Sequence, residues 1–323
     1  MKEGLEVSAP GKLMLFGEHA VIYGQPCIVT AVDQRMILVA VPVKEREFRI
    51  EAPDVGVIGY ERDLDALGLV GDIPKGVRFV EVAIKLFKEK FGLPSGIAIK
   101  TKSEFETSGL GSSSAVVVCT IKALSELTGK RLSRKELFDL SYKTVLEVQK
   151  TGSGFDVAAA IWGGTVFYLL GGKRIEPLKV ENLPLVVGDS GIKIETPMMI
   201  KMVEEKYQRN KKMMGEIFAL MGEITQEARN SLKNGNFQKV GELADINQGL
   251  LEAISVSSDR LARLIFSARE AGAWGAKLSG AGGGDCMIAF VDEEKRKKTE
   301  EAIRKAGGKV VKVKTNAEGV RIE

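Results

Sequence analysis

The stretch Gly109-Leu110-Gly111-Ser112-Ser113-Ser114 decides how the rest of the chain is read. A strand-like run, Gly96-Ile97-Ala98-Ile99-Lys100-Thr101, precedes it, and a long apolar run from Ala115 to Leu127 follows. A small-residue loop that opens a helix leaves backbone N–H groups unpaired at the positive end of the helix dipole. Phosphate binds at such places. No Gly-Lys-Ser/Thr closes the loop, so it is not a Walker loop. Ser114 stands where a dinucleotide loop has its third glycine. Taken alone, the stretch is either a phosphate loop or a tight turn with a serine cap.

Two further glycine-dense loops, 152–154 and 280–284, favour the first reading. Three such loops in one chain point to a phosphate-bearing ligand approached closely by backbone. Lys12 follows Pro10-Gly11 inside an apolar strand, where a lysine is costly unless it faces a cleft or a partner. Snorkelling at a sheet edge is the other reading. Asp156 follows a Gly-Ser-Gly turn. It either caps the small-residue helix that begins there or takes a proton from a substrate hydroxyl. Glu18-His19 holds the sole histidine of the chain.

The 323 residues suit two domains, or one large one. The formal charge of +4 is scattered, with both signs interspersed, and no basic stripe carries aromatics. Nucleic acid is thereby disfavoured as a partner. Cys27, Cys119 and Cys286 lie far apart in apolar runs, without metal or disulfide spacing, and read as buried free thiols. Met1-Lys2-Glu3-Gly4 leads directly into a strand without a signal peptide, and no apolar window is long enough to span a membrane. A cytoplasmic location fits.

Strands are expected at 5–10, 11–17, 26–32, 36–42 and 47–52, then a loop from Pro53 to Gly76 and a helix from Val77 to Lys90. Helices follow the glycine-serine loop up to Gly129 and the capping box at Ser133. A hairpin is expected over 164–172 and a buried strand over 184–188. Beyond, helices are expected at 197–234, 237–254, 258–271 and 294–306, with strands at 286–291 and 308–314, and residues 277–280 lead into the third glycine loop. A strand-rich first half and a helix-rich second half argue for α+β, with a boundary near 172–185.

Together these parts resemble the GHMP small-molecule kinases. Residues 10–24, Pro-Gly-Lys-Leu-Met-Leu-Phe-Gly-Glu-His-Ala-Val-Ile-Tyr-Gly, resemble the first motif of that family. The Gly17-Glu18-His19-Ala20-Val21 form is most similar to its mevalonate kinase branch. Residues 109–115 resemble the second motif, the ATP phosphate loop, and residues 277–286 the third. The resemblance implies a two-domain α+β fold. Residues 1–180 would form an α/β domain with a left-handed β-α-β unit, and 181–323 a ferredoxin-like domain, with the active site between them.

The same resemblance implies ATP and Mg²⁺ as cofactors. Ser108, Gly109, Leu110, Gly111, Ser112, Ser113 and Ser114, with Gly282 and Gly283, would hold the nucleotide, and Ser113 the metal. Asp156 matches the general base and Lys12 the lysine that supports it; Glu18, His19, Ser153 and Thr196 match the substrate side. The implied reaction is ATP-dependent phosphorylation of the 5-hydroxyl of mevalonate in isoprenoid biosynthesis. A homodimer is common in the family, and the sequence leaves the oligomeric state open.

Three departures bear on acceptor and metal. Gly152-Ser153-Gly154-Phe155-Asp156 and Gly284-Asp285-Cys286 look more like phosphomevalonate kinase, whereas Leu243-Ala244-Asp245-Ile246-Asn247-Gln248-Gly249 looks like mevalonate kinase. Val145 occupies the position of the family's metal-binding glutamate. Glu147, two residues later and about 200° further round the helix, is either its replacement or a surface residue. Mevalonate is the preferred acceptor. Phosphomevalonate is the alternative, with Lys75, Lys150 and Lys193 as candidates for a second phosphate. A non-catalytic ligand-binding relative comes third.

Overall fold

The computed structural model describes residues 4–68, 73–181 and 183–323. The chain start at Met1-Lys2-Glu3 and part of the expected 53–76 loop lie outside the described residues. The chain runs through β1 (Leu5–Phe16), β2 (Cys27–Val43), β3 (Glu47–Ala52), β4 (Val57–Asp63), α1 (Arg78–Phe91), β5 (Gly96–Ser103), α2 (Ser112–Leu127), α3 (Arg134–Gln149), α4 (Phe155–Trp162), β6 (Thr165–Leu169) and β7 (Arg174–Leu178). It continues with β8 (Leu185–Asp189), α5 (Thr196–Arg209), α6 (Lys211–Lys233), α7 (Phe237–Ala253), α8 (Asp259–Glu270), β9 (Gly275–Ser279), β10 (Cys286–Phe290), α9 (Glu293–Lys305), β11 (Lys309–Val311) and β12 (Arg321–Ile322).

The first sheet has the order β12-β1-β2-β5-β3-β4, with β6 also paired to β2 and β7 to β6. Its parallel pair, β3 with β5, is joined through α1. Helices α1 to α4 cover it with one apolar core that includes Leu38, Phe48, Phe87, Val117, Leu124 and Phe138. The second sheet is antiparallel in the order β11-β8-β10-β9, the ferredoxin-like arrangement, with α5 to α8 filling its first crossover. A second core lies between the sheets, where Phe16, Phe167, Leu243 and Phe290 pack together.

Long β1 and β2 replace the four short strands expected. Pro10 pairs with Arg35 and Gly11 with Val32, so Asp33 and Gln34 bulge out of β2 without ending it. The polar Asp33-Gln34-Arg35 and Pro10 are bulge residues, not breaks. Strand β4 lies inside the expected 53–76 loop, because Gly56, Gly59 and Asp63 masked an alternating run. The expected 197–234 helix is two helices that meet at Asn210, which has ψ 43 and no flanking Gly or Pro to announce it.

The sheets divide between Leu178 and Leu185, but the last residues cross back to the first sheet. Residues 181–323 are therefore not one separate body. Arg35 fastens this return. It is buried and donates to Ser8 Oγ at 2.7 Å, Glu318 O at 2.8 Å and Gly319 O at 2.9 Å. Charge-assisted bonds are costly to remove, and the buried Gly319 carbonyl would lose its guanidinium donor. Arg35→Ala is expected to lower the unfolding free energy by about 3 kcal/mol in urea titrations and to expose the last residues to carboxypeptidase.

Candidate active site

Helix α2 is where the site begins. Gly111, with φ 86, caps it without any side-chain bond, so the first-turn N–H groups of Ser112, Ser113 and Ser114 lack intrahelical acceptors. Ser112 is exposed, Ser113 half-buried and Ser114 buried. The body of the helix, Ala115 to Leu124, is locked into the core, so its N-terminus is a fixed point. Gly109 has φ 82, and a Cβ there would come within 2.9 Å of the Asp285 Cβ. Only glycine lets the loop approach the second sheet so closely.

Lys12 reaches this loop from β1. Its backbone N–H donates to Leu110 O at 2.8 Å and its Nζ to Gly109 O at 2.6 Å. The ammonium also lies 5.5 Å from the centroid of the Phe155 ring, on α4. The lysine is buried, so it does not snorkel at an edge. It does not form an ion pair with Asp156; its partner in the protein is the loop carbonyl. An ammonium has three donors, so bonding capacity remains.

Asp156 is joined to the loop by another residue. Ser114 Oγ donates to Asp156 Oδ2 at 2.5 Å, and the Val157 N–H donates to Oδ1 at 3.0 Å. The carboxylate therefore bonds within the first turn of α4, whose N-cap is Gly154, and faces α2 as well. Ser114, expected among the nucleotide contacts, is its orienting partner.

The remaining expected residues divide. Glu18 is fully buried and forms an ion pair with Lys277, itself fully buried, while Asn247 Nδ2 donates to its other oxygen at 3.3 Å. A substrate contact needs an open carboxylate, so the structure gives Glu18 a cross-domain structural role instead. His19 is buried with Nε2 2.8 Å from Ala281 O, which ties the first motif to the third glycine loop. Burial holds its imidazole below the ordinary value of 6.5, partly offset by that bond.

In the third loop, the Gly283 N–H donates to Val256 O at 2.7 Å, and a Cβ on Gly282 would meet the same carbonyl at 2.2 Å. These two glycines pack the second domain, and the Gly283 amide is not free for phosphate. Ser153 is buried, and its carbonyl accepts from the Tyr168 hydroxyl at 2.5 Å. Thr196 is exposed at the start of α5. Glu147 is engaged by Lys85 at 3.2 Å, on the far side of α3 from buried Val145, so it is committed to α1 and not to a metal. No cluster of three or more His, Cys, Asp or Glu able to hold a metal occurs among the described residues. Of the expected metal ligands, only Ser113 fits, as one oxygen beside nucleotide phosphates.

Three residues were missed. Lys277 sits between Ala276 and Leu278 in a strand buried on both faces, the same signal that singled out Lys12. Asp189 and Asp285 hold the loop entrance: Thr107 Oγ1 donates to Asp189 Oδ2 at 2.6 Å and Ser108 Oγ to Asp285 Oδ1 at 2.5 Å. Burial pushes the Asp285 carboxyl up from its usual range, against the opposing pull of the Ser108 bond and the Lys12 charge.

Comparisons with known proteins give the family. The family model described as GHMP kinases N terminal domain matches residues 78–164, and the one described as GHMP kinases C terminal matches residues 228–309. A mevalonate kinase from Pyrococcus furiosus is 38% identical over 98% of this chain and 97% of its own length. The chain belongs to the GHMP kinase family. The solved mevalonate kinase of Methanococcus jannaschii superposes with a TM-score of 0.80 at 25% identity, over 100% of this chain and 99% of that one. A Streptococcus pneumoniae phosphomevalonate kinase, at 23% identity and TM-score 0.78 over 96% of this chain and 99% of that one, shares the fold alone.

Two outcomes follow from the buried polar groups of this GHMP kinase. Lys277→Met strands the Glu18 carboxylate and should lower the unfolding free energy by about 3–5 kcal/mol, with Glu18→Leu added to it recovering part of the loss. His19 has a depressed folded value, so between that value and 6.5 the unfolded chain binds more protons. Its contribution to stability is present above pH 6.5 and lost as pH falls below it. The urea midpoint of His19→Gln should therefore fall less than that of the wild type between about pH 7.5 and pH 5.

Proposed function

We propose that this chain is a mevalonate kinase, which transfers the γ-phosphoryl group of ATP to the 5-hydroxyl of mevalonate. The observation that carries the reading is the bond from Ser114, in the phosphate loop, to Asp156: it ties the expected base to the donor site. The identity of more than a third with an archaeal mevalonate kinase over nearly the full chain supports the acceptor. Free, buried cysteines suit a reducing cytoplasm.

Phosphoryl transfer needs positioning and charge neutralisation more than covalent chemistry. The open N–H groups of Ser112, Ser113 and Ser114 at the α2 N-terminus receive phosphate oxygens. Lys12, already braced on Gly109 O, presents its remaining donors to the negative charge that develops between donor and acceptor. Ser113 would hold Mg²⁺ through its hydroxyl, and the ion would supply neutralisation of phosphate charge. Asp156 takes the proton of the acceptor hydroxyl as the new oxygen–phosphorus bond forms, and the bond from phosphorus to the bridging oxygen breaks with its electrons leaving on ADP. Ser114 holds the receiving carboxylate in place.

A second phosphate on the acceptor would ask for free basic groups. Lys75 is neutralised by Glu195, and Lys193 and Lys150 are exposed in separate loops. That favours the acceptor with fewer charges. ADP release measured with mevalonate and with phosphomevalonate should show turnover with mevalonate; turnover with phosphomevalonate alone would replace the acceptor assignment. Asp156→Asn should lower kcat by about 10²–10⁴-fold while ATP binding persists. Full turnover in that variant would remove the base from the scheme.

A further inference from the structure

The entrance of the phosphate loop is held by two hydroxyl–carboxylate bonds that the reaction scheme does not use. Thr107 donates to Asp189 at 2.6 Å and Ser108 to Asp285 at 2.5 Å. Asp189 ends β8, and Asp285 stands immediately before β10, where Cys286 pairs with Asp189. The two carboxylates thus emerge side by side from neighbouring strands of the second sheet. Both are about nine-tenths buried. Hydroxyl bonds to carboxylates are short and strong, so neighbouring donors in one loop fix its height and tilt over the sheet.

Asp285 is the unusual member. It adopts φ 56, a left-handed conformation that costs a side chain strain and glycine nothing. Its N–H donates to Ile192 O at 2.7 Å and its carbonyl accepts from the Ser190 N–H at 2.9 Å, which fixes the strained backbone. A strained residue that is held on three sides and makes its one side-chain bond to a ligand loop marks a functional device. Lys12 holds the same loop one residue on, at Gly109 O. The loop that leads into α2 is therefore held both by a cation from the first sheet and by two carboxylates from the second.

We propose that Asp285, with Asp189 beside it, is a positioning residue for the nucleotide: it clamps Ser108 to the second sheet and thereby sets where the triphosphate lies over α2. The inference rests on the reading of residues 108–114 as an ATP loop. It concerns the donor side alone, so it can be tested without an acceptor.

Calorimetric titration of the full chain with MgATP, without acceptor, reads the clamp directly. Asp285→Gly relieves the left-handed strain, so its thermal midpoint should equal or exceed that of the wild type. Its ATP affinity should nevertheless fall about tenfold, and in turnover KM for ATP should rise while KM for mevalonate stays within about twofold. Asp285→Asn keeps an acceptor for Ser108 and should recover most of the affinity. Ser108→Ala should match Asp285→Gly, and the double variant should be no weaker than either alone. Unchanged ATP affinity in Asp285→Gly, or additive losses in the double variant, would overturn the clamp. A wild-type chain that bound no ATP would overturn the ATP-loop reading and the clamp with it. Normal ATP binding with no mevalonate turnover would strike the acceptor assignment only, since the titration decides the clamp by itself.

Discussion

The ammonium of Lys12 rests on the carbonyl of Gly109, and the site follows from that contact. A buried cation must find an acceptor, because desolvation without one is prohibitive. Here the acceptor is the backbone of a loop that also opens a helix. For the loop to lie that close, β1 must offer a residue without a side chain, and it does: a Cβ on Gly11 would meet Phe105 at 2.6 Å and Leu110 O at 2.9 Å. The Pro10/Gly11 register shift sits at the same place. Charge, bulge and glycine are thus one device, which brings a strand, a loop and a helix N-terminus to one point.

A second buried charge does comparable work between the domains. The Glu18–Lys277 pair, with Asn247 beside it, joins the turn after β1 to β9 and α7. Ser279 adds a neutral link at the same junction, where it accepts from Met14 N at 3.0 Å and donates to Met14 O at 2.9 Å. A buried ion pair contributes little net stability over an apolar substitute, yet separating its partners is costly. Such a pair resists sliding of one sheet past the other more than it adds to the depth of the fold. It lies between motifs that the chain keeps about 260 residues apart.

What the sequence made legible, and what it hid, has a physical pattern. Loops announced by glycine and serine, and charges out of place in apolar strands, could be read, since each violates a local rule. Lys12 and Asp156 could be found this way. The contacts between loops are hidden, because Ser114 and Asp285 violate nothing severe when taken singly; Lys277, by contrast, carries the same signal as Lys12. Glu18 shows the failure most clearly. Its motif context pointed to a substrate, while its pairing with Lys277 is a fact of tertiary packing. Glu147 fails for a simpler reason: helix periodicity turns it toward Lys85, so the metal position held by Val145 has no replacement two residues on. Likewise β12 was invisible, since two residues carry no periodicity and are held there by Arg35 from β2.

The distribution of charge around the phosphate loop closes the argument about why two domains are needed. A triphosphate demands cations and N–H donors, which the first sheet supplies through Lys12 and the start of α2. Those groups alone would leave a loop of small residues free to move, because glycine and serine carry little packing surface. At the loop entrance the second sheet contributes carboxylates, which grip its hydroxyls. One loop thus carries contacts to a cation of the first sheet and to two carboxylates of the second. The same stretch then carries Ser114 to Asp156, so that the α2 N-terminus and this carboxylate are fixed together.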